Sequence, residues 1–176
     1  MERDISSATL RAIRRIMRAS DRSGRRLAAA TGLTASQVLV LQQIEKSGET
    51  TPGVIAADLQ FGQATVTNII DRLVAVGFAT RRRGERDKRQ MLLGITKEGR
   101  EALNRAPDLL QERFVARFEA LPTWEQAMML AALERLSELL DASDIDAAPL
   151  LDSGDINKAP DNLTTLRTVS PLTSAR

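Results

Sequence analysis

The stretch Gln63-Ala64-Thr65-Val66-Thr67-Asn68-Ile69-Ile70-Asp71-Arg72-Leu73, closed by Gly77 and followed by the basic loop Gly84-Glu85-Arg86-Asp87-Lys88-Arg89, decides how this chain is read. Val66, Ile69, Ile70 and Leu73 recur at helical spacing, which predicts a helix over residues 63–76 with one buried stripe. The opposite face carries Ala64, Thr67, Asn68 and Asp71, flanked by Thr65 and Arg72. Gly77 suits the left-handed position that ends a helix.

Upstream, Thr51-Pro52 is a start signal: a capping hydroxyl, then proline at the first helical position. It opens a short helix over 52–59, expected to bury Val54, Ile55 and Leu59, with a turn at Phe61-Gly62. Downstream, residues 78–83 and 90–95 read as two strands of a hairpin whose loop begins at Gly84. The order is short helix, tight turn, longer helix, hairpin. In a helix-turn-helix the first helix braces the second, whose outward polar side chains enter the major groove. Asn pairs with adenine, and Thr contacts a thymine methyl or a phosphate. The amides at the helix start, around Gln63 and Thr65, suit a phosphate. Gln63, Ala64, Thr65, Thr67, Asn68 and Arg72 are therefore the candidate contact residues of a recognition helix.

Many surface helices are polar on one side, so the helix alone does not decide. The hairpin adds Arg81, Arg82, Arg83, Arg86, Lys88 and Arg89 against Glu85 and Asp87. A charged tip also blunts an edge strand. Guanidinium groups, however, fit phosphates and narrow minor grooves. Placed directly behind a polar recognition face, they point to DNA.

The flanks read as helices. An amphipathic helix over 5–26 has the stripe Leu10, Ile13, Ile16 and Met17 beside many arginines, and Gly32 punctuates it. Thr34 is the expected N-cap of a helix reaching residue 46, with Val38, Leu41 and Ile44 inward and Gly48 at its end. After the hairpin, Thr96 caps a long helix holding Leu103, Leu110, Phe114 and Phe118, kinked or interrupted at Pro107. Pro122 opens the last helix. There Met129, Leu133, Leu136 and Leu140 alternate at four and three, a seam that wants a partner helix. From residue 142 the chain turns to Pro, Ser, Thr, Asp and Asn. The reading is a tail disordered from about residue 161, with Leu150 and Leu151 available to dock.

Composition bounds the chemistry. The 176 residues include no Tyr and one Trp, so the core must be mainly Leu, Ile, Val and Ala, which favours helices. Net charge is only +2, yet arginines crowd 11–26 and 81–89 while acids gather after Glu112. Such local basic patches suit a polyanion-binding face. The absence of Cys and His removes disulfides, thiol chemistry, conventional zinc sites and the commonest general base. No catalytic residue, metal or cofactor is assigned. No apolar run follows Met1 and none is long enough for a membrane span, so the expected compartment is the cytoplasm. Gly94 and Gly99 copy part of a phosphate loop, but Arg100-Glu101 stand where Lys-Ser/Thr is needed.

The residues 39–99 resemble the MarR (multiple antibiotic resistance regulator) family of winged-helix regulators. The likeness lies in Thr51-Pro52-Gly53-Val54-Ile55-Ala56, in the recognition stretch quoted first, in Gly77-Phe78, and in Asp87-Lys88-Arg89 leading to Leu92 and Ile95-Thr96-x-x-Gly99. Ile95 replaces the Leu of the family pattern, and the flanking helices extend the likeness to about residues 5–141. The resemblance implies a mainly α (α+β) fold, a winged helix-turn-helix with flanking N- and C-terminal dimerisation helices. Residues 1–33 and 97–141 would form the dimerisation region, 34–96 the DNA-binding domain and 142–176 a tail. It further implies an obligate homodimer on a pseudo-palindrome of double-stranded DNA, with Leu10, Ile13, Met129, Leu133, Leu136 and Leu140 at the interface. In the wing, Arg86, Asp87, Lys88 and Arg89 would meet DNA, Arg89 entering the minor groove and Asp87 orienting it.

A small-molecule effector would bind between dimerisation helices and winged module, with Arg14, Arg18 and Met17 as candidate contacts. Phe61, Phe114, Phe118, Met17 and Trp124 could line such a pocket but are read first as core. The function implied is that of a ligand-responsive repressor. The competing readings are a winged-helix module that binds protein, which would want a neutral or acidic wing and an apolar recognition face, and a small hydrolase, for which the sequence suggests no nucleophile–base pair.

Overall fold

A computed structural model describes residues 2–85 and 89–144. Wing-tip residues Arg86, Asp87 and Lys88, and the tail from residue 145 with Leu150 and Leu151, lie outside the described residues. The elements run α1 (Glu2–Thr31), α2 (Ala35–Ser47), α3 (Pro52–Leu59), α4 (Gln63–Ala75), β1 (Ala79–Arg83), β2 (Met91–Ile95), α5 (Lys97–Arg105), α6 (Leu110–Glu119) and α7 (Thr123–Leu139). The architecture is mainly helical with a two-stranded wing, as the sequence predicts.

Helix α1 runs past the expected stop at residue 26 because its last turns have something to bury. Leu27 is sequestered in the core, and the Thr31 hydroxyl donates to the Leu27 carbonyl at 2.8 Å while accepting from the Leu33 amide at 3.0 Å. Gly32, at φ 72, ends it. Helix α2 begins at a capping box: the Gln37 amide donates to the Thr34 hydroxyl, and the Gln37 side chain accepts from the Thr34 amide at 3.0 Å. Such a cap is worth about 1 kcal/mol. Val38, Val40, Leu41 and Ile44 are wholly buried, since α2 packs on α3, α4, α5 and β2 at once.

Helix α3 spans the residues expected and buries Ile55, with Leu59 half-buried. Val54 is a correction, being 47% exposed. At about 100° per residue it lies outside the arc shared by positions 55, 56 and 59, and two turns of helix have only one buried face. Gln60 takes a left-handed φ of 54, and Phe61 folds back into the core to make the turn. Helix α4 then buries the four residues of its expected stripe.

The hairpin is antiparallel, pairing Ala79 with Ile95 and Arg83 with Met91. A short bridge from Thr50 to Leu93 ties it to the segment before α3. The Gly77-Phe78 and Thr96-x-x-Gly99 signatures prove to be one lock. The Thr96 hydroxyl donates to the Gly77 carbonyl at 2.8 Å and caps α5 by accepting from the Gly99 amide at 3.0 Å. A Cβ on Gly99 would stand 2.2 Å from the Phe78 carbonyl oxygen, so only glycine allows this approach.

The long helix expected after Thr96 is interrupted, not kinked. Ala106 is extended at ψ 128, as the residue before proline is pushed to be, and α6 starts anew at Leu110. Buried Leu109 fills the break, and its amide donates to Glu112 at 3.2 Å. Helices α6 and α7 contain no buried residue.

Candidate nucleic-acid interface

Helix α4 is the candidate recognition helix, and its two faces separate cleanly. Val66, Ile69, Ile70 and Leu73 anchor it against α2 and α3. Gln63, Ala64, Thr67 and Asn68 are exposed together near its N-terminus, while Thr65 and Arg72 are half-buried at the flanks. Gly62 precedes the helix in an extended conformation without a side-chain cap. Its first amides therefore point outward unfilled, the arrangement that suits a phosphate.

The contact residues differ in what they can offer. The Thr67 hydroxyl already donates to the Gln63 carbonyl at 2.9 Å, so its methyl is the group left facing out. That favours apolar contact with a thymine methyl over a phosphate hydrogen bond. Asn68 presents its amide on the exposed face and is suited to a bidentate contact with adenine. Arg72 is tucked along the helix flank, with Nη1 buried and no hydrogen-bond partner among the described residues. It is the least available of the expected contacts.

The wing strands are less freely basic than their sequence suggests. Arg81 reaches back to Asp71 on α4 at 2.8 Å. Arg82 pairs with Glu49, ahead of α3, and lies 3.8 Å from Glu85. Two of the arginines counted toward DNA therefore hold the wing to the helix-turn-helix. Arg83 and Arg89 remain exposed. Sequence reasoning missed both ion pairs, since Asp71 and Glu49 lie far from the wing along the chain. The one available hint was a lone acid on an otherwise uncharged recognition face.

The remaining candidates lie away from this surface. Arg14, Arg18 and Met17 are exposed on α1, where Arg14 and Arg18 border shallow open grooves of about 330 and 400 Å³. Leu10, Met129, Leu133 and Leu140 are exposed, with Ile13 and Leu136 half-buried. Of the residues read as core, only Phe61 is buried. Met17, Phe114 and Trp124 are exposed, and Phe118 is half-buried with its ring stacked on Phe114 at 5.2 Å. These positions fall on faces of α1, α6 and α7 that the other described residues leave open. No single helix among the described residues is long and apolar enough to cross a membrane.

Comparison with known proteins agrees with this geometry. Residues 31–90 match the MarR family. Helix-turn-helix-type transcriptional regulators of Mycobacterium leprae and Mycobacterium tuberculosis are 28% and 27% identical over 111 residues, 63% of this chain and 78% of each relative. The crystal structure of a MarR mutant from E. coli complexed with operator DNA is 25% identical, with a TM-score of 0.51, covering 72% of this chain and 91% of that one. A MepR-like protein complexed with pseudoligands shares the fold at 23% identity and a TM-score of 0.52, over 78% of this chain and 94% of its own. The matched segment holds α2, α3, α4 and the first wing strand, the elements that form the candidate interface. The chain has a MarR-like winged helix-turn-helix fold, and over residues 31–90 it is similar to the MarR family of helix-turn-helix transcriptional regulators.

Proposed function

We propose that the protein is a homodimeric repressor that binds a pseudo-palindromic operator and leaves it when a small molecule binds. The observation that carries DNA reading is the exposed Gln63, Ala64, Thr67 and Asn68 face beside a wing held in place by Asp71 and Arg81. Asn68 reads a base edge. Arg89, with the wing-tip Arg86, Asp87 and Lys88, meets the minor groove beside it. A MarR mutant of the same fold is complexed with operator DNA, which supports this assignment.

Dimerisation is supported by the apolar surface outside the winged module. Leu10 and Met17 on α1, Phe114 and Val115 on α6, Trp124, Met129 and Leu133 on α7, and Leu140 just after it are all exposed. Each large apolar side chain buried at an interface contributes about 1.5–3 kcal/mol, so a second copy is the natural cover. In this dimer, residues 1–33 and 97–141 form the interface region and 34–96 the DNA-binding domain. The two recognition helices address half-sites about 10 bp apart.

The effector is assigned to the region of Arg14, Arg18 and Met17, where guanidinium groups beside an apolar side chain suit an anionic, partly apolar molecule. A MepR-like protein of the same fold is complexed with pseudoligands, which supports a ligand-responsive reading. With no cysteine in the chain, the signal is not a thiol oxidation.

Titration of duplex DNA at several salt concentrations tests the reading. Phosphate contacts give a steep negative slope of log affinity against log salt. Footprinting on the neighbouring promoter then locates the operator, and a metabolite screen for release identifies the ligand. A flat salt slope with uniformly weak binding would sink the DNA-reading assignment.

A further inference from the structure

Helix α1 carries a feature that DNA reading does not use. Between Arg11 and Arg26 lie seven arginines and one aspartate. At 3.6 residues per turn the seven fall within roughly a third of the helix circumference, in a stripe about 22 Å long. They are exposed, and two shallow grooves of about 330 and 400 Å³ run along them. Arg11 pairs with Asp4 at 3.8 Å in an exposed contact, and Asp21, the acid within the stripe, is itself engaged. Seven guanidinium groups against one carboxylate leave the stripe strongly positive whatever Asp21 pairs with. Like charges three and four residues apart on a helix repel, so the stripe works against the helix unless a polyanion covers it.

The same chain contains a complementary segment. Residues 141–161 hold six aspartates, Asp141, Asp144, Asp146, Asp152, Asp155 and Asp161, against the single Lys158. The segment begins where α7 ends, and its roughly 20 residues span up to about 65 Å when extended. Reach is therefore no obstacle to a 22 Å stripe. We propose that this acidic segment docks on the arginine stripe of α1, in its own subunit or across the dimer, and neutralises it. Several arginines and aspartates in register give a contact that no single surface pair would sustain. Docked, the segment keeps the stripe from holding nucleic acid indiscriminately and leaves DNA binding to the recognition helix and wing.

The chain has no native cysteine, so two can be placed at will. Ala19→Cys, at the exposed edge of the stripe, and Ser153→Cys, within the acidic segment, take a fluorescent donor and acceptor in the full-length protein. Energy transfer is expected to be high at about 10 mM salt and to fall at least about twofold at 1 M, where the screening length shrinks to about 3 Å. At low salt it should fall equally when Asp144, Asp146, Asp152 and Asp155 are changed to Asn in the same chain. Transfer that survives them would overturn the proposal. So would transfer that survives Arg15→Gln, Arg18→Gln and Arg22→Gln together, since the segment would then sit elsewhere.

Discussion

Asp71 on α4 and Arg81 on β1 meet at 2.8 Å, joining the candidate recognition helix to the root of the wing. Arg81 is 28% exposed and Asp71 54%, so solvent weakens the pair and its value is orientation more than energy. A double-mutant cycle with Asp71→Asn and Arg81→Gln, read by urea unfolding, should give a coupling of about 0.5–1 kcal/mol. Operator binding offers a sharper test, because two arguments predict opposite signs. Simple electrostatics says that removing a carboxylate near DNA tightens binding. If the pair holds the wing in register, Asp71→Ala weakens operator binding severalfold. Tighter binding would show that the pair does not position the wing.

Gly99 touches the Phe78 carbonyl so closely that any Cβ must displace backbone. Gly99→Ala should cost about 1–3 kcal/mol, the usual range for overpacking, even though alanine favours helices. Chemical denaturation should show a lower midpoint with an unchanged slope. A midpoint equal to that of the parent chain would mean that the α5 start shifts freely.

Asn68 and Arg89 should fail in different ways. Asn68→Ala is expected to remove about 1–3 kcal/mol of discrimination at one base position while leaving non-specific affinity intact. Arg89→Ala should weaken operator binding strongly with unfolding unchanged, since its side chain is exposed. Binding to a panel of single-base operator variants separates the two. If Asn68→Ala weakened every sequence equally, base reading would belong to another residue.

The dimer is tested at its seam. Leu133 is exposed and Leu136 half-buried on α7, and α7 buries no residue within one subunit. Leu133→Glu with Leu136→Glu should therefore leave the winged module folded but shift the protein to monomer in sedimentation. Operator affinity should fall by orders of magnitude as the second half-site contact is lost. A variant that still sediments as a dimer would move the interface off this seam.

The local chemistry of the chain was written in its residues. Thr34, Thr51 and Thr96 cap the helices expected of them, Gly32 and Gly77 take the left-handed turns, and the Val66, Ile69, Ile70 and Leu73 stripe is buried as its spacing requires. These features depend on contacts within a few residues, where periodicity and side-chain type are sufficient. Val54 escaped that logic because a two-turn helix gives too short a pattern to fix which side is buried. The extension of α1 to Thr31 likewise depends on the core that receives Leu27, with Gly32 as its local stop signal. Only the tertiary structure decided which wing arginines are engaged. Arg81 and Arg82 looked like DNA contacts until folding brought Asp71 and Glu49 beside them, because a charge is neutralised by whatever stands nearest in space, however distant in sequence.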